Sequence, residues 1–555
     1  MFKRSSLWRG LTLVFSLLLA ISLMAGSILE TYRTSVDAFF NTRSQLTVTE
    51  VDETGEAWSY VSKFKTAKEA FEGLKEFAIR ESQETVALLK NDGNALPLSK
   101  DAKITMLGVR SYAPVYGSSG GSITDGNATV QIFDCFTERG FQLNPSVQAA
   151  YAKYFADKTW TKPRFGGGII PEYAEITAYN DPRELTLDEL TALNADFRKD
   201  YAEYSDAAIV VVGRPGSEAG NGYYPGKDGL AEGVSTVTGN ILSLSDEEMA
   251  MINEAKANFD KVIVLVNATN PMEIANLKDD PDIDAIVWIG FPGAYGFYGV
   301  ADVLNGTVSP SAHLGDVMAK NSALAPAMAN YGNIPWTNAA DFAADANVNS
   351  YLIEAEGIYA GYRYYETAHV PVRYPFGYGL SYTTFAYSDL KADADKVTFT
   401  ITNTGSRAGA EIAQLYVAKA DAAVFRPEKE LKGFAKVFLQ AGECKTVTIP
   451  LDDKAFRYWN VKTDRWETEG GSYQLLVGAS VQDIRLRAEV PVQGTGAPDP
   501  YAGKAVQCYR TADIKNVPDA AFEALLGHAI PEDKPHIDQT MTLGELNHSR
   551  SPLCW

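Results

Sequence analysis

The sequence predicts an α/β region built on a mostly parallel sheet with helices on both faces, followed by an all-β antiparallel sandwich and preceded by a transmembrane helix. Three observations carry this. Between residues 104 and 290, short continuous apolar runs alternate with helical segments. Strands buried on both faces read as such unbroken β-branched runs, and alternation of strand and helix gives a parallel sheet between helical layers. After Phe385 the pattern changes to strict alternation, as in VTFTITNTG, with Val397, Phe399 and Ile401 on one side. Finally, residues 11–29 (LTLVFSLLLAISLMAGSIL) carry no charge.

The uncharged run comes first. It is long enough to cross about 30 Å of hydrocarbon as a helix. Lys3, Arg4 and Arg9 precede it and Glu30 follows it, so the positive-inside rule keeps the N-terminus in the cytoplasm and exports the rest. Leu23-Met24-Ala25 is a poor cleavage site, which favours an uncleaved anchor over a signal peptide. The expected location is the cell membrane, single-pass, with the bulk of the chain outside the cytoplasm.

A polar stalk leading into a helix is expected next. In IRESQETVALLKNDGNALPLSK (79–100) the apolar spacing suits a helix that Asp92-Gly93-Asn94 and Pro97 would stop. The runs ITMLG, AAIVVVG, KVIVLVN and AIVWIG are the expected buried strands. Between them LSDEEMAMINEAKANF (244–259) is helical, with Ser245 as N-cap and Glu248 completing a capping box. Beyond Phe385, AEIAQLYVAK, FAKVFLQAGE, KTVTIPLD and GSYQLLVGAS are short strands between turns, the signature of an antiparallel sandwich. DAAFEALLG (519–527) reads as one short helix, and the ending SRSPLCW, with neither cap nor polar finish, reads as a cut end.

The net charge of −20 opposes nucleic acid and anionic lipid headgroups and is compatible with a neutral polar ligand. Cys135, Cys444, Cys508 and Cys554 form no CxxC or Cys/His cluster; they are expected to be unpaired thiols, and no metal or other cofactor is expected. A Gly/Ser-rich loop, APVYGSSGGS, follows the first run, but no GKS/GKT or spaced GxGxxG accompanies it, which argues against nucleotide binding.

The most informative block is GIYAGYRYYETAHVPVRYPFGYGLSYTTF (357–385). Its PFGYGLSYTTF, preceded by EGIYAGYRYYE, resembles the signature joining the second and third domains of glycoside hydrolase family 3, the β-glucosidase family. ES-x-ET-VALLKNDGNALPL resembles the opening of that family's second domain, and the order NTG, AQLYV, ELKGFAKV, AGE and GSYQLLVG resembles its fibronectin type III-like domain. The resemblance covers about 79–490 and, taken with the apolar run, gives the expected organisation: cytoplasmic stub and anchor 1–29, stalk and helix 30–78, α/β sandwich 79–385, fibronectin type III-like domain 386–492 and tail 493–555.

The resemblance also implies site residues. GRPGSEAGN is similar to the family's GR-x-GGEG-x-D segment and would make Glu218 the acid/base, with Arg214 bonding sugar hydroxyls or pairing with a carboxylate. APVYGSSGGS is similar to the segment lining the sandwich side of the family's site, implying Tyr116, Ser118 and Ser119 as substrate contacts. Tyr362, Arg363, Tyr364 and Tyr365 suit either sugar stacking or domain-interface packing, and His313 is expected at the surface. The family's nucleophile is an aspartate in an SDW or TDW-like motif on a (β/α)8 barrel; this sequence contains neither motif, nor a Lys-His dipeptide. The expected function is a β-glucosidase-like hydrolase of a glycoside or oligosaccharide, acting by a retaining two-carboxylate mechanism, with the nucleophile from a barrel-bearing partner chain. The alternative is a non-catalytic, membrane-tethered carbohydrate-binding or scaffolding module.

Overall fold

The computed structural model describes residues 2–31, 63–117, 129–156, 184–214, 242–274, 276–329, 334–337 and 350–534. The chain divides into two compact units, Met1–Ala70 and Phe71–Trp555. In the first, α1 runs from Phe2 to Thr31 and exposes Leu13, Phe15, Leu17, Leu19, Leu23 and Met24. Among the described residues, no helix is long and apolar enough to cross a membrane, so the spanning length expected of residues 11–29 is not shown.

Most of α2 (Ala67–Thr85) belongs to the second unit, where β1 (Ala87–Asn91) follows it. This corrects the expectation of a continuous helix through 79–91. Val86, Ala87, Leu88 and Leu89 are all buried, and an unbroken apolar run needs cover on both faces, which a sheet between helical layers supplies. The sheet is completed by β2 (Lys103–Leu107), β3 (Gln142–Leu143), β4 (Ala207–Gly213), β5 (Val262–Asn267) and β6 (Ala285–Trp288), in the order β1-β6-β5-β4-β2-β3. All neighbours are parallel except β1, which lies antiparallel at one edge.

Alternation along each strand divides the side chains between two cores. Val210, Val212, Val264 and Val266 pack on one face against α4 (Pro145–Ala156), α5 (Leu187–Leu193) and α6 (Asp246–Asn258). Ile209, Val211, Ile263 and Leu265 pack on the other against α3 (Ile132–Glu138) and α7 (Phe297–Leu304). The predicted capping box of α6 forms: Glu248 N–H donates to Ser245 Oγ, and the Glu248 carboxylate accepts from the Ser245 N–H.

Two short pairs follow, β7 (Met318–Ala319) with β10 (Val372–Tyr374) and β8 (Ile334–Pro335) with β9 (Ser350–Tyr351), and α8 spans Tyr362–Thr367. The sandwich sets β11 (Phe385–Ala392), β12 (Lys396–Asn403) and β15 (Cys444–Pro450) against β13 (Gly409–Ala418), β14 (Glu430–Leu439), β18 (Gly471–Gly478) and β19 (Ile484–Val492). The hairpin β16 (Arg457–Asn460)–β17 (Arg465–Thr468) lies beside them. Val397, Phe399 and Ile401 face the sandwich core as the alternation predicts.

The 375–385 segment is the seam between the two layers. Its centre is tied to the α/β region: Leu380 N–H donates to Leu88 O at 2.9 Å and Tyr382 Oη to Val303 O at 2.9 Å. Toward its ends it is tied to the sandwich: Thr383 Oγ1 donates to Asn403 Oδ1 at 2.6 Å, and Val481 N–H to Phe376 O at 3.1 Å. Gly377 is in the left-handed region (φ 78°), and a Cβ there would run into the Gln414 amide. Gly379 lies so close to Ala312 O that a side chain would collide with backbone. After β19, α9 (Gln507–Arg510) and α10 (Asp519–Leu526, closed by left-handed Gly527) fold back. Tyr509, Ala521 and Ala524 pack with Tyr359, Tyr362 and Tyr416, so the tail docks on the tyrosine block and the sandwich.

Candidate functional site

In an open parallel sheet, ligands meet the chain just beyond the carboxyl ends of the strands. Here that edge is made by the residues after Leu107, Gly213, Asn267 and Trp288, the last residues of β2, β4, β5 and β6. It is held by an unusual concentration of buried polar groups. Asn267, fully buried, accepts from Val115 N–H at 2.6 Å and donates to Val115 O at 3.0 Å and Gly290 O at 2.7 Å. One amide thus fixes the loops following β2 and β6 to the end of β5.

The loop after β2 has a second anchor. Gly108 N–H donates to Tyr151 Oη at 2.8 Å, and Val109 N–H to Glu184 Oε2 at 2.8 Å. Glu184 also accepts its neighbour Leu185 N–H at 2.9 Å. Burial pushes its carboxyl up to about 8 against the pull of those two N–H groups, with the Glu248 charge adding to the rise. Glu184 is therefore largely protonated at neutral pH.

Arg214, immediately after β4, is buried and bidentate with Glu248: Nη1 to Oε1 at 2.5 Å and Nη2 to Oε2 at 2.7 Å. It also donates to Gly213 O at 2.8 Å and Ser243 O at 2.7 Å. The same Glu248 caps α6, so this one ion pair joins residue 214, at the end of β4, to the stretch beginning at 243.

Of the residues expected to act, Glu218, Ser118 and Ser119 lie outside the described residues. Arg214 takes the carboxylate partner, one of the two roles expected of it: its guanidinium is bidentate with Glu248. Tyr116 is likewise a core side chain. It is 2% exposed, meets Phe297 edge-on with centroids 5.3 Å apart, and its hydroxyl accepts from Ile132 N–H at 3.2 Å.

The tyrosine block resolves toward interface packing. Tyr362 stacks on Phe376 at 4.6 Å, and its hydroxyl accepts from Leu431 N–H at 2.8 Å; Tyr364 and Tyr365 are buried. His313 is in the seam, not at the surface: Nδ1 lies 2.6 Å from Gly377 O and Nε2 3.6 Å from Glu411 Oε1. Sequence reasoning passed over Glu184, Tyr151 and Asn267. An asparagine closing an otherwise apolar strand, VIVLVN, was a usable signal; nothing local marks Glu184. Among the described residues no group of His, Cys, Asp and Glu could hold a metal ion.

The chain matches two family models: the glycosyl hydrolase family 3 C-terminal domain over residues 86–382 and a fibronectin type III-like domain over 411–481. It is 31% identical over 423 residues to thermostable beta-glucosidase B of Acetivibrio thermocellus, covering 74% of this chain and 47% of that protein. It is 29% identical over 488 residues to an exo-alpha-(1->6)-L-arabinopyranosidase of Bifidobacterium longum, covering 82% and 56%. The GH3 beta-glucosidase of Bifidobacterium adolescentis superposes with a TM-score of 0.59 at 26% identity, over 89% of this chain and 58% of that one. Beta-glucosidase 3B of Thermotoga neapolitana, solved with glucose, gives 0.59 at 30% identity over 76% and 54%. The chain spans about half the length of the curated relatives it matches.

Proposed function

The chain belongs to glycoside hydrolase family 3, and on that premise we propose that it is the acid/base half of a glycosidase that cleaves O-glycosidic bonds with retention. The observation that carries this reading is the Arg214–Glu248 clasp. Arg214, four residues before Glu218 in the sequence, is held by it at the carboxyl edge of the sheet. Glu218 protonates the leaving glycosidic oxygen, then activates the water that releases the sugar. The second carboxylate, set about 5–5.5 Å away for a retaining mechanism, is an aspartate from a barrel-bearing partner. No SDW or TDW motif offers it within this sequence. Neutral glycosides suit the acidic chain, and the relatives named above are a beta-glucosidase and an arabinopyranosidase. The helix Phe2–Thr31, with basic residues before its apolar stretch, tethers the protein to the membrane with the hydrolase region outside. Fractionation of cells with carbonate washing tests the tether: release into the wash would refute it.

The mechanism is tested on the assembled enzyme with Glu218→Gln, using disaccharides and alkyl glycosides whose leaving oxygen needs a proton. General acid catalysis is worth about 10²–10⁴-fold, and a loss in that range is expected. Unchanged turnover would remove Glu218 from the mechanism. A second reading, carbohydrate binding without hydrolysis, draws on the missing SDW or TDW motif; saturable sugar binding by an assembly that never turns over would favour it.

A further inference from the structure

Beyond the loops already described, the carboxyl edge carries a separate pocket of about 180 Å³ next to the ends of β5 and β6. Its floor is apolar: Leu314 and Met318 are 5% and 2% exposed. One wall is the half-buried ring of Trp288, the last residue of β6, and Pro271 forms part of another. The polar groups are at the rim, where Thr269 and Asp316 are exposed. Asp316 Oδ1 accepts from Val317 N–H at 2.7 Å. Among the described residues no second donor meets this carboxylate, and its partial desolvation raises it above the ordinary range.

An apolar floor and wall beneath a polar rim is the complement of a pyranose ring. Such a ring presents a C–H face to an indole and a rim of hydroxyls to a carboxylate and a threonine. The volume decides the size of the occupant. It falls below the roughly 300–1,000 Å³ of pockets that take drug-sized ligands, so one sugar ring fits and an oligosaccharide does not. The carboxylate accepts hydrogen bonds only and therefore selects a donor-rich rim, whereas an anionic sugar would meet like charge.

We propose that the Trp288–Asp316 pocket is a binding site for a single neutral sugar residue: the ring stacks on Trp288 and its hydroxyls donate to Asp316. The site goes beyond the hydrolytic reading and does not require Glu218. It would hold a sugar unit of a longer glycan, or a released monosaccharide, at the same edge of the sheet.

The test is titration of the full chain with methyl β-glucopyranoside and methyl β-glucuronide, followed by saturation-transfer NMR and tryptophan fluorescence. Four proteins are compared: wild type, Trp288→Ala, Asp316→Asn and Glu218→Gln. Saturable binding of the neutral glycoside is expected, weakened about tenfold or more by each of the first two substitutions, as for loss of an apolar anchor or a hydrogen bond to a charged group. Glu218→Gln is expected to bind as wild type, and the glucuronide more weakly. Because Asp316 is at the exposed rim, Asp316→Asn decides the matter should Trp288→Ala fail to fold. Equal affinity in wild type and Asp316→Asn, or no saturable binding by wild type, would overturn the proposal. So would loss of binding in Glu218→Gln alone, which would put the sugar at the acid/base loop.

Discussion

Arg214 shows what a buried guanidinium demands of its surroundings. Its carboxylate partner Glu248 meets it with two short hydrogen bonds, and both groups are nearly inaccessible. Removing one partner leaves the other charge buried and uncompensated, at a cost of about 3–5 kcal/mol. Arg214→Ala is expected to lose stability on that scale in urea denaturation, and Arg214→Lys to recover only part, since an ammonium cannot reproduce the fork. A loss below about 1 kcal/mol, the range of a surface ion pair, would contradict the clasp. Glu184 makes the complementary case for a neutral carboxyl. Its folded value of about 8 lies above the ordinary 4.5. The folded state therefore binds one more proton than the unfolded state between those values. The stability it contributes is complete below about 4.5 and is lost as pH rises toward 8, by up to about 1.4 kcal/mol per pH unit. Glu184→Gln, neutral at every pH, should flatten this part of the stability profile and exceed wild type at pH 8. Parallel profiles for the two proteins would show that Glu184 is ionised in the fold.

Elements explain why some of this was legible and some was not. The strands β2, β4, β5 and β6 and the capped helix α6 could be read directly, because continuous β-branched runs and a Ser245–Glu248 box are local signals. The region 79–91 misled for a local reason too: VALL fits a helical stripe and a buried strand equally, and only the open edge of β6 decides for the strand. The role of Arg214 depended on Glu248, 34 residues away, a pairing that no local pattern encodes. Tyr116 was expected to contact substrate because its loop resembles a family segment, yet the ring packs edge-on against Phe297. The PFGYGLSYTTF string was recognisable as a joint, and the structure gives the reason for its glycines: the seam leaves no room for a Cβ at Gly377, where φ is also positive. Gly377→Ala is expected to cost about 1–3 kcal/mol from backbone strain alone, with a further loss from displacing Gln414. A wild-type melting temperature for this variant would show the seam to be looser than described.

For the whole molecule, the two layered regions divide the work. The parallel sheet sets out a carboxyl edge whose loops are pinned by Asn267, Glu184 and Arg214. The sandwich and the returning tail brace that sheet through the seam and the tyrosine cluster around Tyr359 and Tyr509. The central claim is that this family 3 chain supplies the acid/base and depends on another polypeptide for the nucleophile. The most direct measurement is hydrolysis of unactivated glycosides by the full chain alone, by the chain mixed with a barrel-bearing family 3 partner from the same cells, and by the same mixture carrying Glu218→Gln. The account predicts no turnover by the chain alone, turnover by the mixture, and its loss by about 10²-fold or more in the variant. Turnover by the chain alone, abolished by Glu218→Gln, would contradict it and place both carboxylates within this sequence.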